Sequence, residues 1–337
     1  MALTQLTHDF PLLIAEIANA HGGSRDYLQR VTADLCRTGV PAVKFQFIEA
    51  DDFLTPSHPQ YSLFKSFEFP LPVFSKMVRL LHGVRKKAFF DVFGDKSLEM
   101  ADRAGADGFK IYASDIGNNS FVKKVISYGK PVLLSVGGAT LDEIDGLVNI
   151  CKGKTFCLMV GFQAFPTPLK ESNVSKVKFL RERFGCPVGY MDHSPADDPF
   201  SAYLPCLAVG AGACCIEKHA YLKERKTLYD WQSAFDPSEF DHLAQLLKQS
   251  QTALGTPSFV LSRAEQAYSR SKRKIIVASR PIGPGAQIRS TDITGRCARL
   301  SPRDRFFTVN QSHQVVGRIA RKKISLFEVI SPESLDG

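Results

Sequence analysis

Two lysines, two histidines and a glutamate in this sequence each lie in or just after a short apolar run. Together they could hold a phosphorylated anion beside a divalent metal. Glu16 sits in PLLIAEIA, and a carboxylate inside such a run is costly to bury without a purpose or a partner. The competing explanation is a structural ion pair with a lysine across the fold. Lys44 and Gln46 are two residues apart, so on a strand they share a face. If Phe45 and Phe47 pack outward, both point inward, where a lysine suits a phosphate or carboxylate. Lys110 repeats the arrangement. Ser135 precedes Val136-Gly137-Gly138, whose backbone N–H groups could cradle an oxyanion or simply make a turn. His193 follows Asp192, and His219 follows Glu217-Lys218. Two neutral imidazoles at the ends of neighbouring runs suit Mn, Fe, Co or Zn. Asp192 or Glu217 could add an oxygen or orient a ring. Residue types alone reach a metal-assisted lyase, aldolase or phosphotransferase.

These groups need a scaffold that brings run ends together. The chain has eight short apolar runs, at 11–18, 42–48, 87–93, 106–112, 131–136, 155–160, 187–192 and 212–219. They are continuous rather than alternating, as expected for strands buried on both faces of a parallel sheet. Between them stand stretches with helical apolar spacing, and Thr140-Leu-Asp-Glu143 is a capping box. Eight such units in about 250 residues predict an α/β chain with a (β/α)8 TIM barrel, whose chemistry gathers at the C-terminal strand ends. A doubly wound open sheet is the runner-up, weakened by the lack of a G-x-G-x-x-G after the first run.

The formal net charge of +9 is uneven. From Leu261 onward 15 Lys and Arg face 6 Asp and Glu, and the rest of the chain balances. We expect a barrel over 1–255, a linker over 256–273 and a small β-rich module with Pro-Gly turns over 274–337. The basic tail implies an anionic partner or a solvated basic face. The eight cysteines include no C-x-x-C pair and read as reduced, mostly buried residues. No run reaches the ~18–20 residues that span a bilayer, and MALTQLTHDF does not read as a signal peptide. A cytosolic, cytoplasmic protein without a membrane partner is the expectation.

At these same residues the chain resembles the sialic acid synthase family, which includes the neuraminate, legionaminate and pseudaminate synthases. The segments that carry the resemblance are IAEIANAHGG, AVKFQ, FKIYASDIGN, LSVGGATLDEI, FPTP, PVGYMDHS and IEKHAYL, in order. Residues from about 274 to 335 are similar to the antifreeze-like (SAF) domain that ends these synthases.

The resemblance implies condensation of phosphoenolpyruvate with an N-acetylated aldose, or its phosphate, to a nonulosonic 2-keto acid plus phosphate. Lys44 and Lys110 would hold phosphoenolpyruvate with Ser135, and Glu16 would assist proton transfers or the attacking water. Gln46, Asn19, Ser114, Gln163, Phe165, Asp192 and Asp230 would contact substrate. His193 and His219, with Glu217, would hold a divalent metal, Mn2+ before Mg2+ or Co2+. The SAF domain would cap the barrel of the other subunit in a homodimer, which accounts for the basic tail without nucleic acid. Ala113 and Met191 stand where the family usually has serines, Phe165 where it has tyrosine, and Trp231 where it often has histidine. They leave two alternatives open: the same chemistry on a different aldehyde, or a non-catalytic anion-binding descendant.

Overall fold

The computed structural model describes residues 11–161, 164–225, 228–301 and 304–336. The chain divides into two compact units, Met1–Gly255 and Thr256–Gly337.

In the first unit each of the eight apolar runs forms a strand. They are β1 (Leu12–Glu16), β2 (Ala42–Gln46), β3 (Lys87–Val92), β4 (Gly108–Ile111), β5 (Val132–Ser135), β6 (Phe156–Val160), β7 (Val188–Asp192) and β8 (Cys215–Ala220). Each pairs in parallel with the next, and β8 returns to β1, with Glu16 level with His219. This is the closed (β/α)8 barrel. A two-residue strand, β9 (Ala234–Phe235), pairs in parallel with the end of β8.

Side chains alternate between lumen and helix layer along each strand. The outward set, including Phe45, Phe90, Phe109, Leu134, Tyr190 and Ile216, packs in one large cluster under the helices. Phe45 and Phe47 both stack on Phe74 of helix Leu71–Gly83, which turns Lys44 and Gln46 inward. The inward set forms a separate apolar plug of Leu12, Ile14, Phe89, Leu133, Met159 and Cys215 in the lower lumen. Gly189 belongs to this layer, because a Cβ there would lie 2.5 Å from Met159 Sδ. The helix over 141–150 starts from the expected capping box, with Thr140 Oγ1 accepting from Glu143 N.

In the second unit the segment expected as a linker, 256–273, is partly helical. Arg263–Lys272 is a helix, and Ser262 with Glu265 forms a capping box at its start. The same S-x-x-E pattern that marked Thr140 was present there. Beyond it β10 (Ile275–Ala278) pairs antiparallel with β11 (Ile293–Arg296). Isolated bridges such as Ile282–Ile324 close a small core around Ile276, Ile288 and Ile330. Arg289, Arg299, Arg318 and Lys323 are exposed. Among the described residues no helix is long and apolar enough to cross a membrane.

Candidate active site

Above the apolar plug the lumen carries a layer of charge. Register sets Glu16 beside Lys44, Gln46 beside Asp91 and Asp91 beside Lys110. Lys44 Nζ donates to Glu16 Oε1 at 2.6 Å and also to Asp91 Oδ2. Lys110 Nζ donates to Glu217 Oε1 at 2.6 Å. Glu16 therefore does take part in structural ion pairing, with Lys44 on the neighbouring strand and, at 4.0 Å, with Lys110 across the barrel, and it also faces the pocket above.

Three carboxylates meet two ammonium groups here, one negative charge too many for a dry site. Burial pushes Glu217 up to about 8, and the neighbouring Glu16 adds to it. Burial likewise raises Asp91 to about 6. Burial would raise Glu16 too, but Lys44 and Lys110 outweigh it and hold this carboxyl well below the usual range. Burial pulls Lys110 downward, but Asp91, Glu217 and Glu16 hold it well above its ordinary value. At neutral pH the layer thus settles near balance, with the spare proton on Glu217.

A cavity of about 180 Å3 opens over this layer at the C-terminal strand ends. Nine of the fourteen residues expected from the sequence line it: Glu16, Asn19, Gln46, Lys110, Ser135, Phe165, His193, His219 and Asp230. Asn19 N donates to Asp230 Oδ2 at 2.7 Å, tying the loop after β1 to the loop after β8. Gln46 Nε2 lies 3.3 Å from Glu16 Oε1. The histidine rings are 5.0 Å apart, and Phe165 flanks both.

Four expected residues stand elsewhere, and Gln163 lies outside the described residues. Lys44 is fully buried beneath the cavity floor, enclosed by carboxylates. Glu217 is also below the floor and turned to Lys110, so it does not join the histidines as a third ligand. Asp192 points the other way. Val188, Tyr190 and Asp192 share the helix-facing side of β7, and Asp192 pairs there with Lys218 Nζ at 2.8 Å. Ser114 is exposed and its hydroxyl donates to Asp115 Oδ2.

Three pocket residues, Ala18, Asp91 and Tyr112, escaped the sequence reading. Asp91 carries the same signal as Glu16, a carboxylate in an apolar run, and its Oδ1 is buried with no hydrogen-bond partner. Tyr112 extends the Lys110 side of the wall. Ala113 and Met191 also line the cavity, so the departures noted in the sequence fall on its surface.

The histidines suit a metal. Burial, then the neighbouring His219 and Lys110, pulls His193 well below its usual value; burial also lowers His219. Both imidazoles are therefore neutral. His193 Nδ1 faces the Met191 carbonyl at 3.2 Å, an acceptor that fixes the proton there and leaves Nε2 as the basic nitrogen. Its own carbonyl accepts from Thr167 N and Ser233 Oγ, both at 2.7 Å. His219 Nδ1 is buried with no hydrogen-bond partner, and Nε2 is 3.7 Å from Glu16 Oε2. Two neutral imidazoles with an unmet ring nitrogen are a donor set for a borderline divalent ion. Among the described residues no three His, Cys, Asp or Glu side chains form a ready-made cage.

Residues 32–258 match the NeuB family. The chain is 26% identical over 295 residues to the N,N'-diacetyllegionaminic acid synthase of Campylobacter jejuni, covering 81% of this chain and 86% of that one. It is 24% identical over 291 residues to the human N-acetylneuraminate-9-phosphate synthase, covering 81% and 79%. The crystal structure of the N-acetylneuraminic acid synthetase of Leptospira borgpetersenii, in complex with citrate, superimposes with a TM-score of 0.71 at 26% identity. That match covers 78% of this chain and 92% of the other. On this match, and with the closed barrel and its lumen site in place, the chain belongs to the NeuB family of sialic acid-type synthases.

Proposed function

We propose that the lumen pocket condenses phosphoenolpyruvate with an aldose, N-acetylated or its phosphate, to give a nonulosonic 2-keto acid and phosphate. The observation that carries this reading is the convergence of Lys110, Ser135 and two neutral histidines on one small cavity in a NeuB-family barrel. Enol C3 forms a bond to the aldehyde carbon, and the aldehyde oxygen gains a proton. Water adds to C2, and the C2–O bond to phosphate breaks.

Lys110 is the ammonium group on the wall, and Ser135 beside it offers a hydroxyl to the carboxylate or phosphate. Gln46 contacts the same ligand from β2. Lys44 acts from below, fixing Glu16 and Asp91 rather than touching substrate. Of Glu16 and Asp91, the two carboxylates of the charged layer that line the cavity, Asp91 is the better proton carrier. Its Oδ1 accepts no hydrogen bond and lies 3.9 Å from Lys110 Nζ, and burial raises the carboxyl to about 6, close to the working range of a general base. Glu16 is held too acidic by its lysines to compete, and it positions His219 and Lys44.

His193 and His219 would hold a divalent ion, Mn2+ first and Mg2+ or Co2+ as substitutes. Such an ion, when bound, supplies Lewis-acid polarisation of the aldehyde. Asn19, Asp230 and Phe165 are placed to meet the sugar. Lys110 in the wall and Lys44 beneath the floor are already paired, so the anions need further positive charge. A homodimer whose basic second unit, of the SAF type, caps the other copy's barrel would provide it from exposed arginines. A cytoplasmic setting without nucleic acid goes with this reading.

The test is product mass. Phosphoenolpyruvate labelled with 13C would be incubated with N-acetylated hexosamines, their 6-phosphates and simple aldoses. A labelled keto acid equal to the two reactants plus water less phosphoric acid supports the reading and identifies the acceptor. Binding of phosphoenolpyruvate with no product from any aldose shifts the reading to another aldehyde.

A further inference from the structure

At the opposite end of the barrel from the pocket, two sulfurs meet. Cys157 near the start of β6 and Cys214 just before β8 have their Sγ atoms 3.6 Å apart. On the strand between theirs, β7, Gly189 has no side chain, and Met159 of β6 and Cys215 of β8 close over it. Cys157 is fully buried in the lower lumen. Cys214 is half-buried and opens on a surface cavity that it shares with Lys178, Arg181 and Cys186. The Arg181 guanidinium lies across Gly212, where a Cβ would be only 1.7 Å from its nearest nitrogen, so any other residue would displace it.

Glu182 also lines this cavity and pairs with Lys178, which leaves Cys214 beside the Arg181 guanidinium, accessible from one side, with a second thiol within reach, as a reactive thiol requires. Hydrogen bonding from Cys157 lowers the Cys214 thiol, and the nearby Arg181 charge adds to this. The same bond, together with burial, keeps the proton on Cys157. Only Cys214 opens on the surface cavity, where a peroxide can reach it, and buried Cys157 lies 3.6 Å behind it to follow.

We propose that Cys214 and Cys157 form an oxidation site for hydroperoxides, with Cys214 attacking and Cys157 resolving. The Cys214 thiolate bonds to one peroxide oxygen and the O–O bond breaks. The departing oxygen leaves as water, or as an alcohol from an organic peroxide, and Cys214 becomes a sulfenic acid. The Cys157 sulfur then attacks the Cys214 sulfur. The S–O bond breaks, hydroxide leaves with the Cys157 proton as water, and a disulfide joins the two. Two thiols lose two electrons and the peroxide gains them. To close the bond the sulfurs move from 3.6 Å to about 2.05 Å. A dithiol reductant reverses the step. Nothing in this chemistry depends on the reaction in the pocket.

The experiment treats the full chain with equimolar to tenfold hydrogen peroxide and maps peptides without reduction. The expected result is a Cys157–Cys214 cross-link that dithiothreitol removes, formed at least about tenfold faster than oxidation of the exposed Cys297. With Cys157→Ser, dimedone should trap the sulfenic acid on Cys214; in wild type that adduct should be scarce. Oxidation of Cys297 or Cys186 while Cys157 and Cys214 stay reduced overturns the proposal. So does equal dimedone labelling of Cys214 in the two proteins. If Cys157→Ser does not fold by circular dichroism, the wild-type time course against Cys297 decides alone.

Discussion

Lys110 and Glu217 reach each other from opposite sides of the barrel, β4 to β8, and meet at 2.6 Å in the lumen. Removing Lys110 takes from a neutral Glu217 its donor and leaves the buried carboxylates of Glu16 and Asp91 with only Lys44, and stripping a partner from buried charge costs about 3–5 kcal/mol. Lys110→Met should therefore destabilise the barrel by that amount. Glu217→Gln, which keeps an acceptor for the lysine, should cost less. The double variant should regain more than about 1 kcal/mol over the sum of the singles, as expected for contacting residues. Denaturant titration checks this, and strict additivity would contradict the pairing.

The metal assignment separates Glu217 from the histidines. His193→Ala and His219→Ala should each weaken Mn2+ binding at least about tenfold, while Glu217→Gln should bind within a fewfold of wild type. Titration calorimetry on metal-stripped protein reads this without any turnover. Equal loss in all three variants would restore Glu217 as a ligand.

Asp91 gives a pH signature. Its folded value of about 6 means that the carboxylate forms only as pH rises through that point. If Asp91 is the base, kcat/KM should fall on the acid side with an inflection near pH 6. Asp91→Asn should lower the rate by about 10²–10⁴ and remove that inflection. An unchanged acid limb in the variant would assign it to another group.

His21 offers a test of folding alone. Its ring is packed against Phe67 and Phe69, with Nδ1 accepting from Gly23 N at 3.0 Å, and burial pulls it to about 4. The unfolded chain takes up a proton near 6.5 that the fold refuses until about 4, so stability falls as pH drops through that window. The loss is about 3 kcal/mol, at 1.36 kcal/mol per unit. His21→Asn keeps an acceptor and should remove this component. Unfolding free energies at pH 7 and pH 4 should show the difference between variant and wild type shrinking or reversing by that amount at the lower pH.

The barrel was legible because fully buried parallel strands need continuous apolar runs, and all eight runs became strands. Lumen position was legible where polar residues alternated with phenylalanines in a run, as Lys44 and Gln46 do with Phe45 and Phe47. It failed where the alternation was masked. In PVGYMD the inward residue Gly189 has no side chain, so nothing showed that Asp192 shares the outward side with Tyr190. Depth was not legible either. Lys44 and Glu217 face the lumen but lie under the floor, a level set by strand stagger rather than by residue type. Asp91 was readable by the argument applied to Glu16, and the Ser262–Glu265 helix start by the argument applied to Thr140.

The measurement that bears most directly on the central claim is phosphate release from phosphoenolpyruvate. Metal-stripped protein would be assayed with Mn2+ or Mg2+ restored, across the panel of N-acetylated hexosamines, their 6-phosphates and simple aldoses. His219→Ala would run in parallel. The account predicts release that requires both the metal and one class of aldose, and that is lost in His219→Ala. No release, together with no detectable binding of phosphoenolpyruvate to the metal-loaded protein, would contradict it.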